Sequence, residues 1–361
     1  MTLHEAAQDE TTQEGDTVDT SASALSVKEI AAHCKAYKGA NTKHAILQLT
    51  TTMALFIAIC ALMVYSLSVS YWITALLILP AGGLLVRLFI FQHDCGHGSF
   101  FKTKKANDRV GRFLSLFTFT PYDFWRRAHN KHHATSGDLD RRSIGGIDTI
   151  TVREYQALSK KQQLAYRIYR HPVVLLVIGT PIYVIIAQRI PFKQGTTFHD
   201  NYNTLPVRSI WKSIMLTNVG IIAFYGGLSY LIGLGAVMAV YLPILVVTAW
   251  VGGWMFYVQH QFEDTYWQRH KDFNLNEAAL MGSSYYELPK IFQWFSGNIG
   301  IHHIHHLSSA IPNYKLQECL DAEPSLKKIR KLTFRDSLKC INLKLWDEDK
   351  QQMVGIASMR T

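Results

Sequence analysis

The sequence predicts an all-α integral membrane protein: four transmembrane helices in two hairpins, interfacial helices, and a His-rich cap on one face of the bilayer. Two observations carry this. Ala45 to Val86 and Ser213 to Phe262 contain no Asp, Glu, Lys or Arg, and each run is long enough to cross a bilayer core twice, since one crossing takes roughly 20 apolar residues. Eight of the sixteen histidines fall into three clusters, His93-x-x-x-His97, His129-x-x-His132-His133 and His302-x-x-His305-His306. All three sit at or beyond the edges of the apolar runs.

Residues 1–25 are polar, acidic and rich in Thr and Ser, with no apolar stretch behind a basic start. They read as a disordered tail rather than a signal peptide. A membrane domain is expected over 26–320, with spans at 45–69, 71–91, 214–232 and 236–258, and a cytoplasmic tail over 321–361. The turns near Ser66–Ser70 and Gly233–Gly235 are short and uncharged. Basic residues gather elsewhere, at Lys102, Lys104, Lys105, Arg109, Arg112, Arg126, Arg127, Lys131, Arg141 and Arg142. The positive-inside rule makes those segments and both termini cytoplasmic, in the inner membrane if the cell is bacterial. Arg87, near a span end, is expected to snorkel to that boundary.

A third uncharged run, Val173–Gln188, poses a question of parity. If it spanned, His260 and the third cluster would lie across the membrane from the first two. It is short, contains Gly179 and Pro181, and is flanked by Arg167, Arg170, His171, Arg189 and Lys193. It therefore reads as interfacial or re-entrant. Asn107–Arg127, with Phe113, Leu114, Leu116, Phe117, Phe119 and Trp125 among basic groups, suits a helix lying in the interface. Trp250, Trp254, Tyr257, Tyr266 and Trp267 mark an aromatic belt.

Offsets of three and four place histidines on one helical face. Each cluster can then aim its imidazoles at one point. Neutral imidazole suits zinc, copper, iron and nickel, and one tetrahedral zinc needs only four ligands. Two ions fit the count better, and nitrogen-rich sites of that kind point to iron and oxygen chemistry, although ligand counting does not exclude zinc. The five cysteines show no CxxC spacing, which argues against disulfides, and Cys95 is offset from the His93/His97 face and reads as packing. A net charge of +10 fits basic cytoplasmic loops; no nucleic-acid motif accompanies it.

HDCGHGSFF (His93–Phe101), HNKHHATSGDLDRR (His129–Arg142), YVQHQFEDTYW (Tyr257–Trp267) and GNIGIHHIHHLSSAIPNY (Gly297–Tyr314) resemble the membrane fatty acid desaturases, in particular the bacterial-type acyl-lipid delta-12, or omega-6, branch. The resemblance runs from about Ala45 to Cys319. It implies a non-haem diiron cap that uses O2 and two electrons to insert a cis double bond into a membrane lipid's acyl chain, with oleoyl becoming linoleoyl. Carried over by motif, the metal ligands are His93, His97, His129, His132, His133, His302, His305 and His306, with His260 as a ninth from the helix end before the last cluster. No other catalytic or cofactor-binding residue is implied. His303 is off the face of its cluster. Asp94, Asp138, Asp140, Glu263 and Asp264 are candidates to hydrogen-bond ligand N–H groups. Asn298 is a candidate for a metal-bound water or a helix cap.

The chain has no Cys-rich iron–sulfur motif, dinucleotide GxGxxG or HPGG-type haem signature. Electrons are expected from a separate carrier, a ferredoxin-like protein or cytochrome b5, for which the basic face of Lys102–Arg112 is a plausible dock. The nearest alternative is a lipid or alkane hydroxylase of the same superfamily. A His-rich metal transporter is more distant, because it would place ligands at mid-depth in its spans.

Overall fold

A computed structural model describes residues 26–360, apart from 193, 194, 197, 200, 201 and 203. The expected tail at 1–25 and the flanking Lys193 lie outside the described residues. In chain order the helices are α1 (Val27–Lys35), α2 (Thr42–Ser66), α3 (Tyr71–His97), α4 (Lys104–Thr118), α5 (Tyr122–Thr135), α6 (Val152–Ala157), α7 (Lys160–Tyr169) and α8 (Thr180–Ile185). They continue with α9 (Val207–Ile232), α10 (Leu234–His260), α11 (Leu275–Met281), α12 (Lys290–Phe295), α13 (His302–Leu307), α14 (Asn313–Asp321) and α15 (Phe334–Lys339).

Four helices, α2, α3, α9 and α10, are long and apolar enough to cross a membrane. They form two hairpins. Asn41 caps the start of α2 and Ser70 caps α3, and between them Ser66 Oγ meets Thr74 Oγ1 at 2.6 Å inside the protein. Outward faces stay apolar: Trp72 is 80%, Leu76 76% and Tyr230 91% exposed, a surface that only lipid covers favourably. Helix α3 continues six residues past the expected end at Phe91, and α10 ends on His260 rather than at Val258. Hydropathy falls there but the helices continue, because their last turns are buried by the cap instead of by lipid.

Arg87 does not snorkel. It is buried, and its guanidinium donates to Thr52 Oγ1, Gln48 Oε1 and Trp294 O while lying 4.4 Å from the Trp294 ring centre. These contacts tie α2, α3 and α12 together. A charge in that position is tolerated because the protein supplies the acceptors that water would otherwise supply.

Helix α4 does not lie along the surface. It runs antiparallel to α3, and its end reaches Phe56 in the middle of α2 and Tyr241, about five turns before His260. The chain turns at Phe119, whose φ is 57°, and α5 climbs back. The carbonyls at that buried turn have partners: Tyr241 OH donates to Phe117 O (2.6 Å), and Gln92 Nε2 donates to Thr120 O (2.9 Å). Away from water each orphan carbonyl costs several kcal/mol, on the order of the unsatisfied-group penalty in lipid. Polar residues pointing inward from spans were the feature hidden by composition.

The third uncharged run is a π-helical turn, Val173–Gly179, followed by α8 and a short 3-10 turn, Ala187–Arg189. It is bent by 52° from α7. Length and composition would allow this bent pair as a fifth span. The contacts instead return the chain to the side it left. The segment descends along α10, where Trp250 Nε1 donates to Val177 O and Thr180 fills the space beside Gly253. Gln188 then bonds Thr120 at the α4–α5 turn, and Tyr202 is back beside His132 and His260.

Two small sheets complete the cap. One joins β1 (Ile150–Thr151), β4 (Leu345–Asp347) and β5 (Gln352–Val354), with β1 parallel to β4 and β4 antiparallel to β5; the other pairs β2 (Tyr285–Tyr286) with β3 (Lys331–Leu332) in parallel. The expected tail at 321–361 is thus folded onto the cap over its described residues, with Trp346 and Met353 buried. Its strands are only two or three residues each, too short to register as strands in the sequence.

Single cysteines at Lys102, Lys160 and Gly195 should react with an impermeant maleimide from one side of the membrane, and one at Gly235 from the other. Labelling of Gly195→Cys from the side that labels Gly235→Cys would break the four-span topology.

Candidate metal centre

His93 and His97 occupy the last turn of α3, His129, His132 and His133 the end of α5, His260 the last residue of α10, and His302, His305 and His306 the short helix α13. All four helix ends meet at one place. His93, His97, His129, His133 and His305 bring ring nitrogens within 4.8 Å of one another, as do His132, His260 and His306. His302 joins the second group, its Nε2 3.0 Å from His260 Nε2. The two groups touch where the rings of His133 and His306 stack at 4.0 Å.

Burial pushes the imidazoles of His129, His132, His133, His302, His305 and His306 well below the usual histidine range, and their histidine neighbours push them further down. They are neutral near pH 7. Neutral imidazole is the form that ligates metal. Nε2 atoms face each other at 3.1 Å for His129 and His133, 3.2 Å for His133 and His305, and 3.1 Å for His132 and His260. The buried Nε2 atoms of His93, His97 and His306 have no hydrogen-bond partner among the described residues. A buried unsatisfied nitrogen costs about 1–3 kcal/mol, and a shared cation removes the cost for several at once. The donor set therefore fits two metal ions, one in each group.

Orientation is fixed from behind. His93 Nδ1 donates to Asp94 Oδ1 (3.0 Å), and Asp94 Oδ2 accepts from Asn313 N (2.7 Å) and Nδ2 (2.9 Å). His260 Nδ1 donates to Gly282 O (3.0 Å). Both bonds leave Nε2 for the site, the arrangement by which outer partners set ligand tautomer. Trp125 stacks on His129 with ring centres 4.4 Å apart, and Phe256 packs against His132 and His260. Gly145, at φ +99°, has only 2.9 Å between a would-be Cβ and Ala128 O; any side chain there would push α5 out of place.

Of the expected carboxylates only Asp94 touches a clustered histidine. Asp138 bonds His270 (2.8 Å), Asp140 bonds Arg269 and the His270 amide, Asp264 pairs with Arg330, and Glu263 contributes its backbone oxygen to Met353. These hold the cap together, on loops that face away from the ligands. Asn298 does not cap α13, whose N-cap is Ile301: it sits at φ 59° and donates to Asn313 O. His303 turns the other way, to Leu326 O, and Cys95 is core. Asn313 and the Gly282 carbonyl were not legible in the sequence, because Asn313 reaches Asp94, and Gly282 O reaches His260, from a distant segment.

The model of the fatty acid desaturase family matches residues 68–333. A fatty acid desaturase of Bacillus subtilis is 38% identical over 92% of each chain. The chain belongs to the fatty acid desaturase family. An acyl-lipid omega-3 desaturase (cytochrome b5) of the Arabidopsis thaliana endoplasmic reticulum is 31% identical over 74% of this chain and 68% of its own. A ferredoxin-dependent sn-1 acyl-lipid omega-3 desaturase of a Nostoc species is 29% identical over 74% and 71%. The desaturase is thus an oxidoreductase of membrane lipid metabolism whose histidines form a candidate metal centre at the end of its bundle.

In this desaturase Asp94→Asn should weaken metal retention about 10- to 100-fold, the usual loss when a ligand's outer partner goes, measured by chelator titration. His260→Ala should lose about half the bound metal, while His270→Ala and His303→Ala keep all of it. Equal metal in the His260 and His270 variants would remove His260 from the site.

Proposed function

We propose that this desaturase holds two iron ions, one in each histidine group, and inserts a cis double bond into the acyl chain of a membrane lipid, converting oleoyl to linoleoyl. The observation that carries it is the meeting of nine imidazoles, in two groups, at the mouth of an apolar helix bundle. The bound irons supply the O2 chemistry: two hydrogens leave adjacent acyl carbons, and with O2, two electrons and two protons give the alkene and two waters. Everything else is positioning. Asp94 and Gly282 O keep ligand nitrogens aimed inward, so that ions held there would stand in a fixed place for an acyl chain that offers no polar handle.

A partly open pocket runs from the surface to His132 and His260, past Thr135, Ser143, Gln261 and Trp267. It opens the second group toward the surface on the cap side. In the proposed orientation the cap and both termini are cytoplasmic, in the inner membrane if the cell is bacterial, so reductant arrives from the cytoplasm. Lys102, Lys105 and Arg109 remain exposed on the basic face, whereas Lys104 pairs with Asp108 and Arg112 with Asp123. A ferredoxin-like protein or cytochrome b5 fits there by charge; relatives are named for each of these donors.

The four His-containing strings support the delta-12 position. The omega-3 names of the Arabidopsis and Nostoc proteins support a second reading, insertion one step nearer the methyl end. Expression in a host whose lipids contain only saturated and monounsaturated chains, followed by double-bond mapping, decides the matter. Linoleate supports the proposal. A bond elsewhere keeps the chemistry and overturns the position, and a hydroxy acid as the main product moves the chain to the hydroxylases.

A further inference from the structure

Arg170 closes α7 at the bend before the π-helical turn, and it is 1% exposed. Its Nη2 donates to Gln261 Oε1 (2.7 Å) and Leu343 O (3.0 Å), and its Nη1 to Asp148 O and Thr149 Oγ1 (both 3.1 Å). The rings of Tyr166 and Tyr257 flank it at 5.9 and 6.0 Å. One guanidinium thereby joins α7, the loop before β1, the end of α10 and the segment before β4. Gln261 is the residue after His260, and its Nε2 turns back to His260 O at 3.4 Å, one of the carbonyls a helix end leaves without a partner. Thr149 Oγ1 donates to the same Gln261 Oε1 (3.2 Å).

His260 is the one member of the nine that α10 contributes. The other eight come from α3, α5 and α13, none of which Arg170 touches by hydrogen bond. Its ring is held by Gly282 O, but its main chain is held through Gln261. We infer that Arg170 is a positioning residue for one metal ion only: through Gln261 it fixes the end of α10, so that His260 completes the group with His132, His302 and His306. The planar fork is what the place requires. Lysine, with a single ammonium on a flexible stem, cannot serve acceptors on three segments at once.

This rests on the two-ion reading above. The test uses the full chain purified in nanodiscs with iron, and counts metal per chain while recording the Mössbauer spectrum. Arg170→Lys and Gln261→Leu should each fall from two irons toward one, losing one iron environment and keeping the other. Arg269→Lys is the control. Arg269 is also a hub, joining Asp140 and Glu348, but it bonds neither the nine histidines nor a residue next to one of them, and its variant should keep two irons. If Arg170→Lys aggregates, Gln261→Leu decides, since it removes the same link without the guanidinium's other contacts. Two irons and an unchanged spectrum in the variants overturn the inference, as does loss of both irons together. A wild-type count below two overturns the two-ion reading itself, so the two failures are told apart.

Discussion

Neutral imidazoles repel when their unprotonated nitrogens meet, and here Nε2 atoms on α5, α10 and α13 stand 3.0 to 3.2 Å apart. Burial keeps those of α5 and α13 from charging. Without cations between them the arrangement is a set of unmet lone pairs inside the protein, and bound cations would turn those lone pairs into ligand bonds whose free energy adds to that of folding. The rest of the fold serves that constraint. Helix α3 and α10 run on past the apolar boundary to deliver their histidines, and α5 and α13 close the site from the cap.

Bringing α5 there has a structural consequence. Its chain must first descend as α4 and turn among apolar side chains, which exposes carbonyls where no water can reach. Gln92, Tyr241 and Gln188 meet those carbonyls or their neighbours from three different segments. The same economy governs Arg87 and Arg170, two buried guanidiniums that bond backbone or side-chain oxygens across element boundaries. Inside this bundle a polar side chain is a splice between segments. Lipid covers the outside, so the fold needs few apolar contacts there and tolerates a Trp72 almost wholly exposed to it.

The sequence showed the spans and the His strings clearly, because both follow fixed periods: about 20 apolar residues per crossing, and offsets of three and four on a helix. His260 stood alone and was found by likeness to a motif rather than by spacing. Which acid would meet a histidine was beyond reach. Asp94 lies inside the first His string and Asp138 five residues past the second, yet only Asp94 faces a clustered histidine, and Asn313 arrives from far downstream to hold it. Arg87 and α4 were misread for a related reason: composition reports what a segment prefers against water or lipid, not the partners that folding brings to it. The strands of the C-terminal segment are too short to show any period.

Locating the metals tests the account most directly. Diffraction from the purified, active protein at wavelengths either side of the iron edge should show two iron peaks, one among His93, His97, His129, His133 and His305 and one among His132, His260, His302 and His306. A single peak, or a zinc edge in place of iron, would contradict it.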